Sequence, residues 1–250
     1  MSRTNIHWRW SALAVFLMLA MFWPGAGAAG SGESDRDGAI DAAYGFLYRQ
    51  LDRPPLDEPR FVQSYLPGGC ALGAPENAAY VYDQALVLLA LLARGTPEDL
   101  TRADLLAQTL VEAQRSDRTF RDGRLRNAYT SGQVRDPRSG LTRLPGRWDT
   151  AQGRYLEDEY AAGSDTGNAA WAALALVQAH GMLPQGEGAS YLSAARRLGA
   201  WIVRENRVDD FRGGFRGGVE GFEAPPGSGE GQVPSLWRST EHNIDLVALF

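Results

Sequence analysis

The chain has 250 residues, a formal charge of −5, and 44% hydrophobic against 22% charged residues. That length supports one sizeable core, and mild acidity without a basic patch excludes the usual nucleic-acid binder. Cys70 is the only cysteine, so an intramolecular disulfide is excluded and packing must supply the stability; Cys70 itself is read as an inert small residue.

Residues 1–28 read as a signal peptide. Arg3 and Arg9 form a positive start, Ser11 to Trp23 is an apolar stretch, Pro24-Gly25 breaks it, and Ala26-Gly27-Ala28 supplies small residues for cleavage. The apolar stretch is shorter than the ~20 residues a membrane span needs, which makes a retained anchor the lesser alternative. Removal takes two arginines and no acids, moving the formal charge to −7. The expectation is export to the periplasm or beyond, with no membrane association after processing. Residues 29–37 are expected to be a flexible linker.

From residue 38 the apolar spacing is helical. Residues 38–52 place Ile40, Tyr44, Leu47, Tyr48 and Leu51 on one stripe. Residues 77–94 form a nearly all-apolar helix ending at Gly95, a residue suited to the left-handed C-terminal position. Thr96-Pro97 then opens an amphipathic helix with Leu100, Leu105, Leu106, Leu110 and Val111 on its stripe. The pattern returns as an apolar helix over 166–179, near Gly181, and an amphipathic one over 188–205. A third apolar helix starts at the end of the chain.

These segments form a repeat. "YDQALVLLALL" (82–92) aligns with "GNAAWAALALV" (167–177), and "HNIDLVAL" (242–249) aligns with the latter, at offsets of 85 and 75. Asp83, Asn168 and Asn243 share one column. Unequal offsets suit helices that repeat while their loops vary in length. Two loops are long: 116–163, with short strands around Asp136-Pro137 and Ser139-Gly140, and 207–238, rich in Gly and Pro. Both lead from an amphipathic helix to the next apolar one, which puts them on one face. Loops of that size are often functional.

Apolar inner helices, amphipathic outer helices and long aromatic loops resemble the six-hairpin glycosidase superfamily. The resemblance rests on "YVYDQALVLLALLARG", "GSDTGNAAWAALALVQAHG", "GGFRGGVEGF" and "STEHNIDLVALF". It implies an all-α fold, a partial (α/α)6 toroid over 38–250 with long loops and short β-hairpins at one mouth. A full toroid has twelve helices and five plus the start of a sixth are counted here, so the expectation is a domain truncated at the C-terminus. It also implies a carbohydrate as the substrate, bound where the inner helices start.

The chemistry is therefore sought at those starts. The catalytic candidates are Asp83, Asp165, Glu241, His242 and Asp245. Glu241 and Asp245 are four residues apart on one helix face, about 5–6 Å between Cβ atoms. Such a pair splits its pKa values when shielded from water, leaving one acid and one base; adjacent inner helices could also supply the partner. Glycoside cleavage uses two carboxyls, about 5–5.5 Å apart for retention and about 6.5–9.5 Å for inversion. Helix capping explains Ser239, Thr240, Glu241, Ser164 and Asp165 equally well. Asp83 resists that explanation, because about six helical residues are expected before it.

The binding candidates are Trp148, Tyr155, Phe215, Phe222 and Trp237, whose rings suit sugar faces, and Glu159, Asn168 and Asn243. The competing roles are pinning and tying the loops. Arg124, Arg126, Arg135 and Arg147 are candidates for an anionic sugar, with solvated or paired arginines as the alternative. With His7, His180 and His242 scattered, no zinc site of several histidines is available. No cofactor motif is present: "GSGEGQ" (227–232) follows no strand, and neither a phosphate loop nor a nucleophile elbow occurs. The reading is a glycoside-hydrolase-like protein using paired carboxylates. The alternatives are a non-catalytic glycan-binding toroid, and a polysaccharide lyase or sugar epimerase using His242.

Overall fold

The computed structural model describes residues 31–53, 58–66, 77–183, 189–221 and 231–250. Residues 1–28, read as a signal peptide, and Cys70 and Phe222 lie outside the described residues. The chain divides into two units, residues 1–45 and 46–250. The described part of the first, 31–45, is helical: α1 is Ser31–Leu51. Helix therefore begins within the stretch expected to be linker.

In the second unit, β1 (Arg60–Phe61) and β2 (Ala78–Tyr80) lead into α2 (Val81–Arg94). Of the helix expected from residue 77, residues 78–80 are thus strand, and helix starts only at Val81. β2 pairs antiparallel with β3 (Ala128–Thr130), fifty residues on, and that ladder satisfies backbone groups which a helix start would leave open. Asp83 consequently sits in the first turn of α2, with two helical residues before it rather than six.

α2 ends where Gly95 takes φ 67° and donates its N–H to Leu91 O at 2.9 Å. α3 (Pro97–Ser116) follows at once behind a capping box: Asp99 N–H donates to Thr96 Oγ1 and Thr96 N–H to Asp99 Oδ2. The buried Asp99 carboxylate also accepts from Arg94, Tyr48 and the Thr96 hydroxyl. The hairpin turn is thereby locked by charge-assisted bonds.

The long loop then supplies β4 (Gly132–Gln133), which pairs with β1, the hairpin β5 (Gly146–Asp149) and β6 (Arg154–Glu157), the single-turn α4 (Glu159–Ala162), and β7 (Ser164–Asp165). α5 (Thr166–Met182) and α6 (Ala189–Asn206) form the second hairpin. The next loop contributes β8 (Gly218–Glu220) and β9 (Val233–Ser235), and α7 is Thr240–Leu249.

α5 packs against α2 on one side and α7 on the other, while α6 backs it and contacts α3. This makes an inner layer of α2, α5 and α7 and an outer layer of α3 and α6. The inner position of α5 follows from its composition. Ala169, Ala170, Ala172, Ala173, Ala175 and Ala179 are all buried, and small side chains on every face admit close neighbours all round. α6 is amphipathic and turns Tyr191, Leu198, Trp201 and Ile202 into the core. Among the described residues no helix is long and apolar enough to cross a membrane.

Candidate functional site

The starts of the inner helices meet. Tyr82 of α2 packs edge-on against Trp171 of α5, ring centroids 5.9 Å apart. His242 of α7 lies on Gly167 of α5, so closely that a Cβ there would stand 2.3 Å from the imidazole Cδ2. β7 runs into α5 and pairs with β8, which pairs with β9. Both long loops therefore gather over these helix ends, as the sequence leads one to expect.

Asn127 joins the parts and was not among the sequence candidates. It is 1% exposed. Its Oδ1 accepts from the Asp165 N–H at 2.7 Å and from Asn168 Nδ2 at 2.8 Å, and its Nδ2 donates to Tyr160 O at 3.1 Å. Its backbone O accepts from Val81 N–H, the first residue of α2. One asparagine thus bolts the start of α2 to the start of α5. Asn168 is held within this network.

Beside it is a cavity of about 480 Å³ whose lining includes Asp158, Glu159, Tyr160, Asp165, Glu220 and Trp237. Asp165 occupies the N-cap position of α5 in extended conformation, yet its side chain makes no capping bond. Oδ2 accepts instead from the Tyr160 hydroxyl at 3.2 Å. Burial pushes the Asp165 carboxyl above the usual carboxylate range, with Glu220 adding to the shift; Asn127, Tyr160 and His242 oppose it. Tyr160 is itself pushed up to about 12 by burial and by Asp165.

Glu220 is shifted the other way. Its Oε1 accepts from Ser235 Oγ at 2.5 Å and from the Trp237 indole at 3.1 Å, and these two bonds hold its carboxyl below its ordinary value. The cavity therefore holds one carboxyl biased to keep its proton and another biased to lose it. Asp158 is occupied as the cap of α4, accepting from Ala161 N–H at 2.9 Å. Glu159, in the first turn of α4, lines the cavity from the exposed side.

A second group of acids lies at the head of α7. Ser239, not an acid, caps this helix by accepting from His242 N–H. Asp245 is 8% exposed and its Oδ2 is buried without a hydrogen-bond partner. Burial raises its pKa, and neighbouring Glu241 raises it further. The Trp171 indole favours the ionised form of Asp245 but closes no hydrogen bond of ordinary geometry, and its Nε1 is likewise buried and unpartnered. Asp83, Glu241 and Asp245 all act on Tyr82, whose hydroxyl is raised first by burial and then by these charges. His242 connects the two groups: its charge favours the ionised forms of both Asp165 and Asp245, and its ring stands 5.4 Å from that of Trp237.

The remaining candidates fall elsewhere. Trp148 and Tyr155 face each other across the β5–β6 hairpin, which does not line the cavity; the Tyr155 hydroxyl donates to Leu144 O. Phe215 lies against Phe250, centroids 6.3 Å apart. Asn243 holds this loop, accepting from Phe215 N–H and donating to Phe215 O and Ser239 O. Three of the four arginines considered for an anionic sugar are engaged: Arg124 with Asp122 and Gln232, Arg135 with Glu112, and Arg126 with Asp117 and Glu157; the fourth, Arg147, is exposed on β5, away from the cavity lining. Glu220 and Asn127 are not legible in the sequence because their partners are far away in the chain, whereas Tyr160 lies only five residues from its partner Asp165. The one available signal was the run of acids from 157 to 159 around Tyr160. Among the described residues no three His, Cys, Asp or Glu side chains are placed to hold a metal ion.

No family model matches this sequence, and comparison with curated proteins finds no match. Among solved structures, the chain is similar to an unsaturated glucuronyl hydrolase from Streptococcus agalactiae, with 13% identity and a TM-score of 0.50 over 88% of this chain and 53% of that one. It is also similar to an unsaturated glucuronyl hydrolase specific for heparin, at 12% identity and a TM-score of 0.43 over 70% and 40%. A metagenome-derived family 9 endoglucanase follows, at 18% identity and a TM-score of 0.39 over 69% and 37%. The chain spans about half the length, or less, of these proteins. At such identities the likeness is one of fold, carried by the S. agalactiae enzyme: the layered hairpins have the architecture of an incomplete α/α toroid.

Proposed function

We propose that this protein is an exported, glycoside-hydrolase-like enzyme that acts on a carbohydrate at the inner-helix mouth. The observation that carries this reading is Asp165. It stands where a capping residue would, makes no capping bond, and is raised above the ordinary carboxylate range inside a cavity it shares with an acid shifted down, Glu220. Two titratable groups driven apart by their surroundings mark an acid and a base. Asp165 donates the proton to the leaving oxygen; Glu220, ionised, activates water or stabilises the positive charge of the sugar. Tyr160 and Trp237 offer ring faces to the pyranose. The names of the fold neighbours, glucuronyl hydrolases and an endoglucanase, support carbohydrate as the substrate class.

A second reading of the pair is favoured by one observation. Asp83 is in the first turn of the adjacent inner helix, its charge acts on Tyr80, and Tyr80 packs 5.8 Å from Tyr160. Asp83 then replaces Glu220 as the ionised partner. The test is turnover of an oligosaccharide panel, followed by release of reducing ends, with Asp165→Asn, Glu220→Gln and Asp83→Asn. Loss in Asp165→Asn together with Glu220→Gln supports the first pairing; loss in Asp165→Asn together with Asp83→Asn supports the second. Full turnover by Asp165→Asn refutes both. Export is tested by N-terminal sequencing of secreted protein, with a start at residue 29 as the expected result.

A further inference from the structure

The repeat shows which surface of the layered hairpins is bare. With Asn243 in the column of Asn168, Ile244 aligns with Ala169 and Val247 with Ala172. In α5 these positions are 1% and 0% exposed; in α7 they are 63% and 83% exposed. α5 buries them between two inner helices, α2 and α7, whereas α7 packs closely on α5. Apolar side chains grouped in this way on a surface mark an interaction site.

A groove beside α7 is bare too. About 570 Å³ between α5, α6 and α7 has Val177, Leu192, Val203 and Phe250 in its lining, together with Arg196 and Arg204 and, among the described residues, no acid. Val177, Val203 and Phe250 are exposed. One repeat earlier, α3 packs on the next inner helix, α5, and on the next outer one, α6. Shifting that arrangement by one hairpin places an outer helix against α6 and α7, in this groove.

Three features of this same chain identify the occupant. The single-turn α4 aside, the described residues hold six helices, and the chain spans 53% of the S. agalactiae enzyme, so two copies supply a ring of that size. α1 is a helix in want of a partner: residues 34–43 are all exposed, Ile40 among them, and a solvated helical stretch of that length is marginal alone. Its charge also complements the groove, with Asp35, Asp37 and Asp41 against a single Arg36 over residues 34–45.

We propose that this face is an interface between two copies of the chain. α1 of one copy lies in the groove between α6 and α7 of the other, and α7 of each meets α2 of the other, where Leu86 is likewise exposed. Each copy gives α1 and receives it, so the contact is isologous and a two-fold axis closes the ring. The inner-helix mouth is then completed by helix starts from both copies. This inference rests on the toroid fold and is independent of the carbohydrate reading.

The test is sedimentation velocity of the full chain over a concentration series. The expected result is a reversible dimer. Val203→Asp in the groove and Val247→Asp on α7 alter exposed side chains, and each is expected to weaken dimerisation by about tenfold or more, because a charge would be buried without a partner; helix content by circular dichroism holds. Arg196→Glu and Asp41→Arg each weaken it as well, and the two combined in one chain restore it, a recovery that a purely structural role for either residue would not produce. A monomer at every concentration overturns the proposal and leaves the face to a different occupant. A dimer indifferent to Val203→Asp and Val247→Asp is held elsewhere and overturns it; one that responds to them but not to Asp41→Arg overturns α1 as the occupant. Wild-type assemblies that grow beyond the dimer overturn the two-fold closure. Because the readout is mass, loss or presence of turnover bears only on the hydrolase reading.

Discussion

Two clusters of buried or half-buried carboxylates lie within this unit, and their contrast is instructive. In one, Arg126 is 1% exposed and bonds Asp117 at 2.6 Å and Glu157 at 2.5 Å. Despite burial, Asp117 stays below the usual carboxylate range, because Arg126 and the N–H groups of Phe120 and Thr119 favour its charge. In the other, Asp165 and Asp245 have no arginine and rise above that range. The first cluster is satisfied by the fold itself. The second is left wanting a proton or a ligand. A cation within bonding distance distinguishes structural acids from reactive ones.

The contrast can be broken by mutation. The largest effect is expected in Asp165→Asn: turnover falls by about 10²–10⁴-fold, the usual contribution of a general acid, with folding intact by thermal melting. An equal loss of stability would make Asp165 a structural acid after all. Next is Arg126→Met, which strands Asp117 and Glu157 without their cation. About 3–5 kcal/mol of stability is expected to be lost, read as a shift in denaturation midpoint at constant slope. A loss below about 1 kcal/mol, the worth of an exposed pair, would show the cluster to be solvated.

Gly167→Ala has a smaller, mixed effect. Alanine favours helix by about 1 kcal/mol, but its Cβ overlaps the His242 ring, and overpacking costs about 1–3 kcal/mol. Activity should fall through displacement of His242 while helix content by circular dichroism holds. Unchanged kinetics would detach His242 from the site.

The smallest effect is in pH dependence, and its sign differs between the clusters. Asp117 is lowered on folding, so its contribution is present above its unfolded pKa and is lost as pH falls through the folded value. Asp165 is raised, so its contribution is present below its unfolded pKa and is lost as pH rises through the folded value. Relative to wild type, Asp165→Asn should gain stability as pH rises through that window, and Asp117→Asn should lose it. Parallel curves would abolish the distinction.

Much of the frame was legible from residue order. The alternation of apolar and amphipathic helices, the Gly95–Thr96–Pro97 turn and the loops on one face are local patterns, and local patterns survive without tertiary knowledge. The start of α2 was misread because NAAYVYDQ has helical spacing, while its first residues are claimed by β3, fifty positions away. Asp165 was on the candidate list, though only as one acid among several with capping as a rival role. Absence of the cap bond required coordinates. Glu220 was invisible, since it reaches the cavity through the pairing of β7 with β8 across more than fifty residues.

By itself, then, the sequence determined the helices, their inner or outer character, and a supply of acids at the inner-helix starts. These follow from side-chain periodicity and short-range backbone chemistry. Only the tertiary structure decided which acids keep company with an arginine and which do not. A pKa depends on burial and on charges a few ångströms away, and those neighbours are set by strand pairing and helix packing between distant parts of the chain.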